Sequence, residues 1–207
     1  MAKTSYIIEA LESNFLKRNI RVLWFDTFKD AKDYLLEDVP NGATIGIGHS
    51  QTLQNMGITE AFRKRGNIVY DKELGENHDE IRLLKRSSLL ADCYISGANA
   101  VSIDGRIVNI DHSGNRVAAL AYGPDKVYII VGKNKITKTH DEAMKRAKNT
   151  ASPQNAKRAG YNPPCVSIGY CVDCLAPERV CNIISTIEGQ SIKGRMTLLI
   201  VHEDAGY

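Results

Sequence analysis

The sequence predicts an α/β domain with a mainly parallel sheet flanked by helices, and two observations lead to this. Short apolar segments alternate along the chain with longer segments whose apolar residues recur at helical spacing. Such alternation is typical of strand–helix–strand units, in which the strands run parallel. The chain has 207 residues, which is enough to bury a core, and no internal repeat divides it. Residues 1–207 are therefore expected to form a single domain.

The first half of the chain contains four predicted helices and three predicted strands. The helices follow from apolar residues that recur every three or four positions, and Thr27 stands where it would cap the second helix. The strands are short apolar runs. The predicted helices span 5–18, 27–39, 51–64 and 78–90, and the predicted strands span 21–25, 43–48 and 67–70.

The second half continues the alternation. Asp104-Gly105 is a strong turn signal between two short strands in the region 92–111. Thr139, followed three residues later by Glu142, forms a capping box that predicts a helix start. A helix is expected over 115–123, strands over 126–132 and 195–204, and a loop over 152–165.

Composition argues against nucleic-acid and membrane partners and favours a cytoplasmic location. The net charge is only +3 with acids and bases intermixed, so we expect no nucleic-acid binding. No apolar run approaches the ~20 residues that span a bilayer, so we expect no membrane partner. The first residues show neither a basic leader nor a long apolar stretch, which predicts a cytoplasmic protein with reduced cysteines.

A glycine-rich turn, GIGHSQT at 46–52, links a predicted buried strand to a predicted helix. Glycines allow a ligand to approach the backbone, and the N–H groups of a helix start favour an anion. The motif is neither a P-loop nor the dinucleotide fingerprint. The alternative is an ordinary tight turn in which Ser50 caps the helix. The candidate ligand-binding residues here are Gly48, His49, Ser50 and Thr52.

A second polar segment, at 96–120, lies between buried segments and is dense in Gly, Asn, Asp and Ser. Its backbone needs hydrogen-bond partners, and a ligand is one way to supply them. The alternative is that Asn and Asp hold turns by bonding their own backbone. We expect this segment and 46–52 to face each other beyond the strand ends and to share a small anion. The candidate residues are Asn99, Asn109, Asp111, Gly114, Asn115 and Arg116.

Four of the five cysteines fall within residues 164–181, with the spacing C-x5-C-x2-C-x6-C. Four thiolates suffice for a structural zinc ion or an iron–sulfur cluster, and the spacing does not choose between them. The alternative is a set of free thiols that behave as small apolar side chains. The predicted metal ligands are Cys165, Cys171, Cys174 and Cys181.

Three long stretches carry a family resemblance: GIGHSQTL, LLADCYISGANAVSIDGRIVNIDHSGNRVAALAYGPDKVYIIVGKNKI, and PCVSIGYCVDC with PERVCN. Together they resemble the LUD domain, the lactate utilization protein C family, over essentially the whole chain. The resemblance implies a fold similar to the ribose-5-phosphate isomerase and CoA-transferase superfamily. The stretch GANAVSIDGRIVN also resembles a motif of methylthioribose-1-phosphate isomerase, but Asn99 occupies the position of the catalytic aspartate, and an amide cannot act as a base.

Three hypotheses about function follow. The first is an accessory component of lactate utilization that binds a small carboxylate or phosphate, with other subunits of a lactate-oxidising system as partners. The second is an electron-transfer subunit that uses an iron–sulfur cluster, with zinc as the alternative metal. The third is an enzyme of the wider superfamily that acts on a sugar phosphate or acyl-CoA. The sequence leaves open whether the protein is an enzyme.

Overall fold

The computed structural model describes residues 2–207, with side chains from residue 6 onward, and contains ten strands in that part of the chain. The strands are β1 Ile20–Phe25, β2 Ile45–Ile47, β3 Val69–Tyr70, β4 Cys93–Gly97, β5 Ala100–Ser102, β6 Ile107–Asp111, β7 Lys126–Gly132, β8 Ile136–Thr137, β9 Ile183–Ile187 and β10 Met196–Val201. The helices are α1 Ala2–Leu16, α2 Phe28–Asp38, α3 Gln51–Met56, α4 Ile58–Arg65, α5 His78–Ser87, α6 Asn115–Ala121, α7 His140–Arg146, α8 Ser152–Arg158 and α9 Pro164–Ile168.

Six of the strands form one parallel sheet in the order β1-β10-β7-β4-β2-β3. The long apolar run in β7 is explained by its position inside this sheet. Ile129 faces one apolar layer and Ile130 faces the other, so successive residues are buried on opposite sides. The prediction of a mainly parallel α/β sheet is confirmed.

Helices cover both faces of this sheet. On one face, Leu11 and Phe15 of α1 and Leu120 of α6 are fully buried against the strands. On the other face, Leu35 of α2 and Phe62 of α4 are buried in the same way. The two layers share the sheet between them, so the molecule is a single α/β domain.

A smaller sheet, in the order β8-β5-β6-β9, stands beside the main one and was not anticipated as a separate layer. Its hairpin between β5 and β6 turns at the predicted Asp104-Gly105 pair, and Gly105 has a φ of 94° that favours glycine. Strand β9, which follows the cysteine-rich segment, pairs antiparallel with β6. The small sheet thereby attaches residues 164–181 to the domain.

Two predictions about helices were wrong. The helix expected over 51–64 is two helices, because Gly57 adopts a left-handed φ of 61° and ends the first of them. The segment 152–165, expected to be a loop, begins with α8, which continues from α7 through a π-helical turn at Ala147–Ala151. Pro153 comes just after this π-helical turn, where the regular helical hydrogen bonds are already interrupted.

The parallel topology determines where a ligand site would form. Strands β2, β3, β4, β7 and β10 end at the same edge of the sheet, so the loops that leave them lie together. No helix in the described part of the chain is both long and apolar enough to cross a membrane.

Candidate functional site

A cavity of about 490 Å³ opens at the carboxyl edge of the main sheet. It is lined by the residues that follow β2, β4, β6 and β7, as the rule for parallel sheets predicts, and also by those that follow β3 and β10. The loops 46–52 and 96–116 therefore do face each other beyond the strand ends.

Six of the ten predicted ligand-binding residues line this cavity, and four do not. Those that line it are His49, Ser50, Asn99, Asp111, Asn115 and Arg116. Ser50 occupies the N-cap position of α3 but its side chain makes no capping hydrogen bond. Its hydroxyl lies close to Gly97, where an added Cβ would be 2.6 Å from Ser50 Oγ. The two loops thus touch at this point.

The other four predicted residues do not line the cavity. Gly48 packs against Ser96, whose Oγ would stand 2.5 Å from a Cβ added at Gly48. Thr52 and Asn109 are fully buried, and their side-chain polar atoms make no hydrogen bond within the described part of the chain. Gly114 precedes α6 with a φ of 85°.

Two of the cavity residues hold the local backbone. The Asp111 carboxylate accepts hydrogen bonds from the backbone N–H groups of Arg116 and Val117, at 3.0 and 3.4 Å. Asn99 Oδ1 accepts one from Ile110 N–H at 2.8 Å and lies 3.4 Å from Arg116 Nη2. The negative charge at the start of α6 is therefore supplied by Asp111 itself. The expectation that this helix start binds an external anion stays a prediction, and an anion there would share these N–H groups with Asp111.

Basic side chains outnumber acidic ones around the cavity. Glu73 and Asp111 are its acidic side chains in the described part of the chain. The basic side chains are Lys72, Lys85, Arg116, Lys135 and Arg158. Sequence reasoning found only Arg116 among these five, although Lys72 and Lys135 each come within three residues of a strand's carboxyl end. Their location just after the carboxyl end of a parallel strand could have identified Lys72 and Lys135 as candidates.

His49 stands at the cavity wall beside Glu73, with its Nδ1 3.0 Å from Glu73 Oε1. Neither ring nitrogen makes a well-directed hydrogen bond within the described residues. Burial, together with the nearby positive charges of Lys72 and Arg158, lowers the pKa of His49 to about 4, and the carboxylate of Glu73 opposes this only in part. His49 is therefore neutral at physiological pH, and its contact with Glu73 is not an ion pair there.

Lys135 is the buried lysine of the cavity floor, with 4% of its surface exposed. Its Nζ donates a hydrogen bond to the carbonyl oxygen of Ala98 at 3.1 Å. Burial, together with the smaller effect of the positive charges of Arg146 and Arg116, lowers the pKa of Lys135 to about 7. A substantial fraction of this amine is therefore uncharged at neutral pH.

Residues 205–207 close one side of the cavity above Lys135. Asn134 Oδ1 accepts a hydrogen bond from Ala205 N–H at 3.2 Å, which fixes this segment to the turn after β7. A Cβ at Gly206 would lie 3.1 Å from Lys135 Nζ and 2.9 Å from Thr52 Oγ1, so only glycine fits here without a shift. Tyr207 completes the wall.

The four predicted metal ligands come together around a second, small cavity of about 20 Å³. Asp173, with a φ of 50°, turns the chain between Cys171 and Cys174, and its N–H lies 3.4 Å from Cys171 Sγ. Arg179 donates hydrogen bonds to the carbonyl oxygens of Cys174 and Cys181, at 2.9 and 3.0 Å. Val180 lines both cavities, so the cysteine cluster lies directly behind the wall of the larger one.

The four cysteines have the chemistry to bind a metal group. Their side chains are not, however, arranged to hold a single ion. Four thiols are free, partly exposed and directed at one cavity, and the pKa of Cys165 is raised by its burial and by the neighbouring thiols. Within the residues that the structure describes, however, no group of three or more His, Cys, Asp or Glu side chains is placed to hold a metal ion. Cys93 lies apart from this set, buried in β4.

The comparison with protein families identifies the class of this chain. It matches the LUD domain over residues 8–201, which is nearly its whole length. The protein belongs to the LUD domain family. The comparison with curated protein sequences gives no match.

Three solved structures resemble this chain, and the likeness to the first of them shows the fold. A DUF162 family protein from Deinococcus radiodurans is 15% identical, with a TM-score of 0.51 over 95% of this chain and 96% of that one. Ribose 5-phosphate isomerase A from Methanocaldococcus jannaschii is 18% identical, with a TM-score of 0.38 over 56% and 55% of the two chains. 5-Methylthioribose 1-phosphate isomerase from Pyrococcus horikoshii OT3 is 12% identical, with a TM-score of 0.36 over 78% and 51%. The last two likenesses are too loose to support an argument about this chain.

Proposed function

We propose that this protein is an accessory component of lactate utilization that binds a small carboxylate or phosphate in the 490 Å³ cavity. One observation carries the proposal: five basic side chains and two acidic ones line a cavity at the sheet edge where α/β folds bind ligands. The family's association with lactate utilization supports the physiological setting. Other subunits of a lactate-oxidising system in the cytoplasm are the proposed partners.

The charge distribution favours an anion over a neutral or cationic ligand. Of the two acids, Asp111 is occupied by the backbone N–H groups of α6, which offset its charge. Lys85 and Arg158, by contrast, make few contacts, the former at 3.4 Å to Ser113 and the latter to Asn155. Basic side chains with so few partners remain available to an external anion.

Calorimetric titration tests this proposal. The wild type is titrated with lactate, pyruvate, inorganic phosphate, ribose 5-phosphate and CoA, so that the carboxylate and phosphate sources are separated. We expect at least one of these anions to bind, and we expect Lys85→Met and Arg158→Met each to weaken binding about tenfold, which corresponds to ~1.4 kcal/mol.

Lys64→Met is the matched control, because Lys64 is an exposed lysine on α4 that does not line the cavity. It should bind as the wild type does. The proposal is wrong if none of the five anions binds, or if Lys64→Met weakens binding as much as Lys85→Met.

We further propose that Cys165, Cys171, Cys174 and Cys181 hold an iron–sulfur cluster, with zinc as the alternative. The convergence of the four thiols on one cavity supports a shared metal group. A zinc ion needs all four sulfurs ~2.3 Å from one centre, which the present placement does not provide. A cluster is larger than a single ion and binds thiolates that stand farther apart, so it does not need the four sulfurs to meet at one point.

Anaerobic reconstitution with iron and sulfide tests the cluster, with metal analysis of the purified protein as the test for zinc. We expect charge-transfer absorption that Cys174→Ala abolishes and that Cys93→Ala, the matched control, retains. If this absorption is absent and the protein contains less than one zinc ion per chain, the four cysteines bind no metal group and the proposal is wrong.

A further inference from the structure

Lys135 has a chemical environment that anion binding alone does not require. Lys85 and Arg158 reach the cavity from partly or fully exposed positions, whereas Lys135, in the turn after β7, is itself buried. We propose that Lys135 forms an imine with the carbonyl carbon of a small 2-oxo carboxylate in this cavity. The inference rests on the proposed anion site and names its substrate class.

An amine that attacks a carbonyl must be uncharged and must present its lone pair. Enzymes obtain such lysines by desolvation or by placing a second cation nearby. Lys135 has both, since it is 4% exposed and Arg146 and Arg116 are near enough to lower its pKa. Lys135 Nζ donates a hydrogen bond to Ala98 O at 3.1 Å. This bond orients the amine and leaves its lone pair free.

The rest of the cavity specifies the substrate class. A carboxylate is attracted by the guanidinium of Arg116 and by the lysines near the entrance. A carbonyl adjacent to that carboxylate would then lie within reach of Lys135 on the cavity floor. A 2-hydroxy acid such as lactate satisfies the same cations but has no electrophilic carbonyl, so it binds without reacting.

The step balances without an oxidant or reductant. The Lys135 nitrogen attacks the carbonyl carbon and forms a C–N bond, and the carbonyl oxygen becomes a hydroxyl group in the tetrahedral adduct. That oxygen takes up both hydrogens lost by the amine and leaves as water, which produces the C=N bond. Hydrolysis reverses the step and returns the free amine.

Reductive trapping tests the inference. The full-length protein is incubated with pyruvate or glyoxylate and then with cyanoborohydride, which reduces an imine to a stable secondary amine. Intact-mass spectrometry should show one reduced adduct per chain, and peptide mapping should place it on Lys135. Lys135→Met should lose this adduct, while Lys133→Met, which changes an exposed lysine in the same turn, should retain it. Lactate should give no adduct.

Binding is also measured by calorimetry on the same samples. A failure of the imine proposal can then be distinguished from a failure of the proposed anion site. If a 2-oxo acid binds but no adduct forms at Lys135, the imine is wrong and the anion site stands. If neither pyruvate nor glyoxylate binds, the proposed substrate class is wrong. Binding of lactate, phosphate, ribose 5-phosphate or CoA would then show whether the cavity is still an anion site. Adducts spread evenly over surface lysines would also overturn the inference. Mapping of the wild type decides the question even if Lys135→Met does not fold.

Discussion

Lys135 shows how one residue can oppose the stability of the fold that surrounds it. A buried ammonium is costly, and the lowered pKa of Lys135, about 7 against an ordinary 10.5, expresses that cost. Its hydrogen bond to Ala98 O recovers part of this cost. Lysines with a strongly lowered pKa are typical of functional sites.

The pH dependence of stability tests the state of Lys135. Between pH 7 and 10.5 the unfolded chain binds the lysine proton and the folded chain does not, so this residue makes the wild type lose stability as the pH falls through that window. Lys135→Met removes this contribution. We expect the free energy of unfolding of the variant, relative to wild type, to rise by up to about 1.4 kcal/mol per unit as the pH is lowered from 9.5 to 7.5.

Urea denaturation at several pH values measures this difference, and other titrating groups cancel between the two proteins. A difference that does not vary with pH would mean that Lys135 keeps its proton in the folded state.

Asn99 illustrates the other kind of cavity residue, one that builds the wall. Asn99→Ala removes the acceptor for Ile110 N–H and Arg116 Nη2, and we expect a loss of about 1–3 kcal/mol in the free energy of unfolding. Asn99→Asp keeps both acceptor positions and should recover most of that stability. Thermal unfolding of the three proteins measures it. Equal destabilisation by Ala and Asp would contradict this role.

Residue-scale prediction from the sequence succeeded in part for a physical reason. Asn99, Asp111 and Asn115 were found because they cluster in a polar segment between apolar ones. His49 was found because it lies in a glycine-rich turn. Lys72, Lys85 and Arg158 were missed because basic residues on helices and after strands are usually solvated, and only the folded chain brings these three to one cavity.

Elements were predictable where local signals fixed them. Thr27 caps α2 with Asp30 as its reciprocal partner, and Thr139 caps α7 as the sequence indicated. The helix α8 was not predictable, because its proline and its polar residues are typical of loops. Instead, α8 is helical because it continues from α7 and because Ala156 is packed into the core.

The end of α6 depends on a residue far along the chain. The buried guanidinium of Arg195, 8% exposed, donates hydrogen bonds to the carbonyl oxygens of Ala119, Leu120 and Pro124 at 2.9–3.0 Å. These groups lie at the carboxyl end of α6 and just beyond it, where intrahelical partners are missing. The contact therefore links β10 to the helix that carries Arg116.

Arg195→Met should leave these carbonyl groups unpaired and lower the free energy of unfolding by about 3 kcal/mol or more. Arg195→Lys should restore only a part, because an ammonium cannot reproduce the planar set of donors. Urea denaturation measures both variants. A loss below about 1 kcal/mol for Arg195→Met would show that water replaces the guanidinium without cost.

At the scale of the whole molecule, the parallel sheet gathers loops from distant parts of the sequence at one edge. The sequence predicted this edge, because the order of strands and helices implies parallel strands. It did not predict the second sheet, whose pairing of β6 with β9 spans the cysteine-rich segment. That pairing places the four thiols behind Val180, at the wall of the cavity.

Anomalous diffraction from crystals soaked in bromide shows directly whether this cavity binds anions. Bromide is a generic anion, so the measurement does not depend on the identity of the natural ligand. We expect an anomalous peak inside the cavity, within contact of Arg116 and of Lys85 or Lys135. Bromide found only at surface lysines, with the cavity containing water alone, would contradict it.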